Sequence, residues 1–471
     1  MKKRTVVKIA DLFCGGGGSS NGARRACEQA GLRMELTAIN HWDIALATHS
    51  QNFQNSRHLC SDLDGIDPSR LYRERELDIM LASPECRYHS TARGGRPIHD
   101  QARSTAFCVT RWADTLRPPV IIVENVPAFV NWGRLGSDNK PIPSQRGKIF
   151  RQWVKMLEVI GYKVEWRVLR SADYGDPTTR QRLFIYAVHG RRRQIIWPEP
   201  THASPVEIRE KHLKLKSWLT ARDSIIDWSV KGKSIFSRKF PLSKKTMERI
   251  IIGLKRFGLR PFIVPQNQGG RPVHSIQEPL ATVTCGSRGV LLAQPVIIQT
   301  AHGNGKMGRK GNRRRVISID APLPTVCGNR GDFAVCDTSF ILGIDHRGGN
   351  GNYTRSVDDP LSTVTTKQRH ALCEPFFVQY NGTADVQPIS QPIPTLTTKA
   401  RFGLVEVEWA GRRYQVDVLF RMLTWRELAR AQGFPDDYQF TGNTTEIVRQ
   451  IGGAVTTHLA EALVKTALKQ L

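Results

Sequence analysis

The sequence predicts an α/β protein, a doubly wound sheet domain joined to a second, mainly β domain. Three observations carry that reading. Five short apolar runs alternate with helical patterns over roughly the first 190 residues, and a glycine-rich loop follows the first run. The alternation then gives way to a Gly, Thr and Pro-rich region with an internal repeat. At 471 residues the chain exceeds what one hydrophobic core usually organises.

The runs are VVKIADLF (6–13), ELTAIN (35–40), LDIMLAS (77–83), VIIVEN (120–125) and RLFIYAV (182–188). Their nearly unbroken Val, Ile and Leu content suits strands covered on both faces, and ligands of such sheets gather at the carboxyl ends of the strands. Beyond residue 190 come charge clusters, a helical stretch LSKKTMERIIIGLKRFG, and a unit that recurs four times: EPLATVTCGSR at 278, APLPTVCGNR at 321, DPLSTVTTKQR at 359 and QPIPTLTTKAR at 391. The repeated prolines, Pro279, Pro322, Pro360 and Pro392, are 43, 38 and 32 residues apart. Each unit reads as a Pro-turn and a strand whose threonines fill a sheet, and its Thr, Gly and terminal Arg groups also suit phosphate contacts. The helical pattern returns in WRELARAQGF and in the amphipathic terminal AVTTHLAEALVKTALKQL. The expected domains are 1–200, 201–415 and a C-terminal segment, 416–471, that returns to the first.

Against 69 Lys and Arg stand 42 Asp and Glu, a formal charge of +27 that points to a polyanionic partner, nucleic acid first among them. The nine cysteines are odd in number and form no CxxC pair or His-spaced cluster. That argues against a disulfide framework or a structural zinc site, and no metal is expected. No segment is long enough to span a bilayer, and the basic N-terminus runs into the glycine loop rather than a cleavage site. A soluble, cytoplasmic chain without membrane contact is therefore expected.

Chemistry concentrates at the strand ends. In DLFCGGGGSSNGARRA the glycines let backbone amides approach a ligand near a helix N-terminus, although a plain tight turn would use them as well. Trp42, after the second strand, is placed to stack on an adenine, and Asp62 to reach its exocyclic amine. In LASPECRYHS, Pro84 turns the chain outward and sets Cys86 at the carboxyl edge of the sheet, where Arg87, His89 and Arg93 favour a nucleophilic thiolate. The next ends supply Glu124 with Asn125, and then Arg180 and Arg182, which share a strand face at i and i+2. A thiol, a carboxyl group and two guanidinium groups would converge on one cleft. A buried salt bridge between Glu124 and one of the arginines is the alternative reading.

The order of these motifs resembles that of the DNA cytosine-5 methyltransferases through most of the chain. DLFCGGGG is similar to the family's S-adenosylmethionine loop, SPEC to its Pro-Cys turn, VENV to its Glu-Asn-Val motif and TTRQR to its Gln-Arg-x-Arg segment. MLTWRELARAQGFPDDYQF and QIGGAV resemble the two late motifs. The resemblance implies a Rossmann-like methyltransferase sheet with a mainly β target-recognition domain. It implies a DNA (cytosine-5-)-methyltransferase in which Cys86 attacks C6 of the cytosine, Glu124 engages N3, and Arg182 holds O2 with Arg180 close by. The cytosine would be flipped out of the duplex, at roughly a few kcal/mol. S-adenosyl-L-methionine would be held by Asp11, Phe13, Gly15, Gly17, His41, Trp42, Asp43, Asp62, Gly453, Ala454 and Val455. DNA contacts are expected from Ser90, and from Arg288, Arg330, Arg369 and Arg401 in the recognition region, since Arg to guanine is the commonest specific major-groove contact. Double-stranded DNA is the implied partner of a monomer, and a cognate restriction endonuclease would act independently of it.

The chain departs from that pattern at a few positions. Glu85 and Arg87 flank the thiol where Pro and Gln are usual, and His41 replaces the acid that binds the cofactor ribose. Thr178 replaces the first Gln of the arginine motif, and Gly453 the late Asn. None removes a catalytic group. Two alternatives stand beside the main reading. An RNA cytosine-5 methyltransferase is disfavoured by the long repeat-bearing insert, and a catalytically silent DNA-binding relative by the intact Cys86, Glu124, Arg180 and Arg182.

Overall fold

The computed structural model describes residues 4–84, 101–134, 136, 141–190, 194–230 and 412–471, together with shorter segments between 232 and 409. The chain divides into two compact units. One comprises Met1–Ile226, Gln277–Ser287 and Thr424–Leu471, the other Asp227–Ile276 and Arg288–Leu423.

The first unit is built on a seven-stranded sheet: β1 (Val6–Leu12), β2 (Arg33–Asn40), β3 (Arg57–Cys60), β4 (Ile79–Ala82), β5 (Val120–Asn125), β6 (Tyr162–Arg170) and β7 (Gln181–His189), in the order β3-β2-β1-β4-β5-β7-β6. Its helices include α1 (Gly18–Gln29), α2 (Asp43–Asn52), α3 (Gln101–Leu116) and α4 (Lys148–Ile160). The five apolar runs became β1, β2, β4, β5 and β7, whose central residues are buried. β3 and β6 were not announced by hydrophobicity because both are edge strands. In β6, Lys163, Glu165 and Arg167 interrupt the apolar residues, and Trp166 and Val168 remain exposed.

β1 to β5 run parallel, whereas β7 is antiparallel to both β5 and β6, with Glu124 opposite Phe184 and Asn125 opposite Leu183. This reversal matters for function. A parallel β7 would start at the amino edge of the sheet, far from the ligand side. Running the other way, it begins where β5 ends, and Arg182 arrives beside Glu124. The core beneath is closed by Trp112 and Trp153, both fully buried. The Trp153 indole N–H donates to the Ala106 carbonyl at 2.9 Å, which satisfies the one polar atom a buried tryptophan brings.

Three helices complete this unit: Trp425–Ala431, Thr444–Gly453 and Thr457–Leu468. The first two begin with reciprocal caps, Thr424 with Glu427 and Asn443 with Glu446, which satisfy exposed N–H groups of the first turn. The last packs on α1. There Glu461 accepts from Arg25 at 2.6 Å and from Gln29 at 3.0 Å, and Gly22 leaves no room for a side chain against Ala460 and Glu461.

In the second unit the described strands pair antiparallel, the longest pair being Val290–Thr300 with Arg412–Met422. Two three-stranded sheets accompany them, centred on Phe340–Gly343 and Phe376–Asn381. Of the four repeats, only Glu278–Leu280 of the first is described, and it belongs to the first unit. The stretch LSKKTMERIIIGLKRFG lies, but for isolated positions, outside the described residues. Among the described residues no helix is long and apolar enough to cross a membrane.

Candidate active site

The end of β1 feeds the glycine loop through Phe13, whose φ of 62° is left-handed, a conformation that costs a non-glycine residue about 1 kcal/mol or more. At Gly17, φ is 92° and a Cβ would strike the Tyr438 hydroxyl, Phe53 and His49. Tyr438 donates to the Gly16 carbonyl at 2.7 Å and thereby fixes the loop from outside. The N-cap residue Gly17 has no side chain to cap α1, and in the first turn the Ser20 N–H turns to the Asp11 carboxyl, which leaves the Gly18 and Ser19 N–H groups uncapped. Below the loop Asp11 is buried, with Oδ2 accepting from Ser20 at 2.6 Å and Oδ1 without a partner. Burial lifts its carboxyl to about 7, against the opposing hydrogen bonds from the Ser20 hydroxyl and N–H. Burial also pushes the Cys14 thiol well above its ordinary range.

An unpartnered buried acceptor, an uncapped helix start and open space beside Gly15 fit a ligand with cationic and anionic ends. Asp11, Phe13, Gly15 and Gly17 stand at this place, and Val455 reaches it from the other side, its carbonyl packed on Gly18. Ala454 is buried beside Val455, while Gly453 is exposed. At the neighbouring ends of β2 and β3, Trp42 is half-buried, with the Arg449 guanidinium 4.3 Å from its ring centre. His41 and Asp62 are exposed, and Asp43 spends its carboxylate on the Ile44 N–H at 2.8 Å.

Where Ser19 of α1, Ser83, Glu124 and Val455 meet the apolar side chains of Phe184, Leu463 and Val464 there is a gap of about 20 Å³, room for about one water molecule. Glu124 Oε1 pairs with Arg182 Nε at 3.0 Å, and both side chains are largely buried. The ion pair weighed as the alternative reading is therefore present, and its Glu124 borders the gap. Asn125 ties the strand ends together, donating to the Pro84 carbonyl at 3.3 Å and accepting from the Val126 N–H at 2.9 Å. It thus anchors Pro84, the last described residue before Cys86. Arg180 behaves differently from Arg182. Only 2% exposed, it donates to the Gly452 carbonyl at 3.1 Å, whereas Arg182 pairs with Glu124. Cys86, Ser90, Arg288, Arg330, Arg369 and Arg401 lie outside the described residues.

Sequence reasoning missed several residues that hold this arrangement. Asp176 is fully buried and accepts from the N–H groups of His458 and Leu459 and from the His458 ring, capping the C-terminal helix from a distant loop. Leu280 forms a parallel bridge with Thr178, accepting from the Thr179 N–H at 2.8 Å, so the first repeat docks next to Arg180. Tyr438, His49 and His58 carried no local signal, because their roles arise from tertiary contacts. Among the described residues no His, Cys, Asp and Glu cluster could hold a metal ion.

A Rossmann-like sheet whose carboxyl edge joins a glycine loop to a Glu-Arg pair defines a methyltransferase, and the chain belongs to the family of C-5 cytosine-specific DNA methylases, whose pattern matches residues 7–469. It is 27% identical over 492 residues to the Type II methyltransferase M.AgeI of Thalassovita gelatinovora, covering 98% of this chain and 99% of that one. It is 26% identical over 210 residues to the Type II methyltransferase M.Sau3AI of Staphylococcus aureus, covering 43% of this chain and 47% of that one. Among solved structures, the S. pombe Dnmt2 methyltransferase aligns with a TM-score of 0.46 at 14% identity, over 98% of both chains. The family match favours neither the RNA alternative nor the silent one.

Proposed function

We propose that this chain methylates C5 of a flipped cytosine in duplex DNA, with S-adenosyl-L-methionine as the methyl donor and Cys86 as the transient nucleophile. The observation that carries the reading is that Glu124, Ser19 at the start of α1 and Val455 of the late motif border one small gap. The carboxyl group that would meet the base thus lies beside the elements that would hold the donor. When bound, the donor supplies an activated methyl group. Cys86 adds to C6 and Glu124 engages N3, and together they make C5 nucleophilic. Loss of the C5 proton and of the thiol then restores the aromatic ring.

Arg182 holds the Glu124 carboxylate in place and is within reach of the base's O2. Arg180, spent on Gly452, acts as a positioning residue that fixes the late motif against the catalytic strand. The basic balance of the chain supplies phosphate contacts that offset base flipping, and the arginines of the repeats would read the sequence. The chain would work as a monomer in the cytoplasm, and a cognate restriction endonuclease would act independently of it.

The test is mass spectrometry of nucleosides from DNA and RNA of a methylation-free host expressing the wild type or Cys86→Ala. 5-Methylcytosine should appear in DNA with the wild type and vanish with the variant. Appearance in RNA alone, or persistence in the variant, would refute the assignment. DNA carrying 5-fluorocytosine should trap a stable adduct with the wild type alone.

A further inference from the structure

A line of hydrogen bonds runs from the floor of the glycine loop toward the surface through four elements of the first unit. Asp11 of β1 accepts from Ser20 Oγ of α1 at 2.6 Å, Ser20 Oγ lies 3.0 Å from His49 Nε2 of α2, and His49 Nδ1 lies 2.9 Å from His58 Nε2 of β3. Asp11, Ser20 and His49 are each at most 1% exposed, and His58 is half-buried. With Asp11 ionised, the single Ser20 proton points at it, so Ser20 accepts from His49 Nε2–H. That leaves His49 Nδ1 as an acceptor, to be met by His58 in its Nε2–H tautomer, for whose proton the Ser56 carbonyl competes. Every proton then points inward and favours a carboxylate at Asp11, while Oδ1 is left without a partner under the loop.

The other titratable or charged groups around this line are Cys14 of the loop, Tyr438 on its outer side and Arg24 of α1. Burial keeps Cys14 and Tyr438 neutral, while the Arg24 guanidinium is held by the Asn21 side chain and the Asn52 carbonyl. Burial, followed by the neighbouring His58, lowers His49 to about 3 and so keeps it neutral, as a one-proton link requires.

We propose that Ser20, His49 and His58 are positioning residues for the methyl donor, holding Asp11 as a carboxylate whose Oδ1 receives the donor's cationic end. The inference rests on the S-adenosylmethionine reading above. Asp11 without ligand carries its proton up to about pH 7. Below that pH, binding must expel one proton to solvent, and affinity falls. The reversed array, in which Asp11 donates to Ser20, Ser20 to His49 and His49 to His58, is the form that binding discharges.

The experiment is calorimetric binding of S-adenosylhomocysteine to the full chain between about pH 5.5 and 8.5, in buffers of differing ionisation enthalpy. The wild type should bind about tenfold more weakly for each pH unit below 7 and release close to one proton per ligand there. Asp11→Asn should bind with a flat profile. His49→Leu should move the inflection to higher pH, because Ser20 loses its orientation, whereas His49→Gln, whose amide can donate to Ser20, should keep the wild-type inflection. A flat wild-type profile with binding intact, or a slope retained by Asp11→Asn, overturns the proposal. Absence of binding at every pH would overturn the donor reading and this inference with it.

Discussion

Gly22 tests whether the C-terminal helix truly seals the unit that carries the glycine loop. It sits inside α1, where alanine would ordinarily stabilise by about 1 kcal/mol through helix propensity. Here an added Cβ would stand 2.6 Å from Ala460 Cβ, 2.6 Å from the Glu461 nitrogen and 2.7 Å from the Thr457 carbonyl oxygen. Ordinary carbon contacts lie near 3.5–4.0 Å, so the overlap approaches ~1 Å, and two of the three neighbours are backbone atoms that cannot rotate away. Overpacking of this kind costs about 1–3 kcal/mol. Because backbone is involved, the upper part of that range applies, and Gly22→Ala should destabilise the contact by a net ~1–2 kcal/mol. Hydrogen exchange read by mass spectrometry should show protection of peptides covering 18–29 and 457–468 falling roughly tenfold in both helices together. Gly22→Ala with Ala460→Gly should recover part of the loss. If protection in both helices instead rises in Gly22→Ala, as helix propensity alone requires, the packing argument is wrong.

Two further outcomes follow from buried polar groups. Arg180→Met should leave the Gly452 carbonyl unsatisfied at a cost of about 1–3 kcal/mol and loosen the late motif, so S-adenosylhomocysteine should bind roughly tenfold or more weakly; unchanged affinity would remove Arg180 from its positioning role. Asp176→Ala orphans three donors at the start of the C-terminal helix and should destabilise the unit by about 2–4 kcal/mol, read as a lower midpoint in thermal melting. A variant melting at the wild-type temperature would show that the cap is dispensable.

How much of this was legible in the sequence depended on whether the signal was local. β1, β4 and β5 are central strands buried on both faces, so an apolar run bounded by turns was enough to find them. β6 sits at the edge of the sheet and carries Lys163, Glu165 and Arg167, which erase that signal. Cys86, Glu124 and Arg182 stood out because their chemistry is rare at the end of an apolar run. The direction of β7 was not legible, yet it alone brings Arg182 to Glu124. Arg180 and Arg182 look equivalent in TTRQR, and only the fold shows that one faces Glu124 and the other the Gly452 carbonyl. His49 and His58 read as ordinary polar residues, because nothing within ten positions tells a histidine that a serine on another helix waits for it.

The polypeptide passes between its two units four times, after residues 226, 276, 287 and 423. During synthesis the sheet with α1 to α4 is therefore complete long before the helix that covers α1 exists. At about 5–20 residues per second, the interval from residue 226 to residue 424 lasts roughly 10–40 s. Throughout it, the face around Gly22 has nothing to pack against, and the Glu278–Leu280 segment arrives in the middle of the wait. For that interval the unit that carries the glycine loop stays unsealed. The contact that closes the unit is thus the one that spans the most chain: Arg25 and its partner Glu461 lie 436 residues apart.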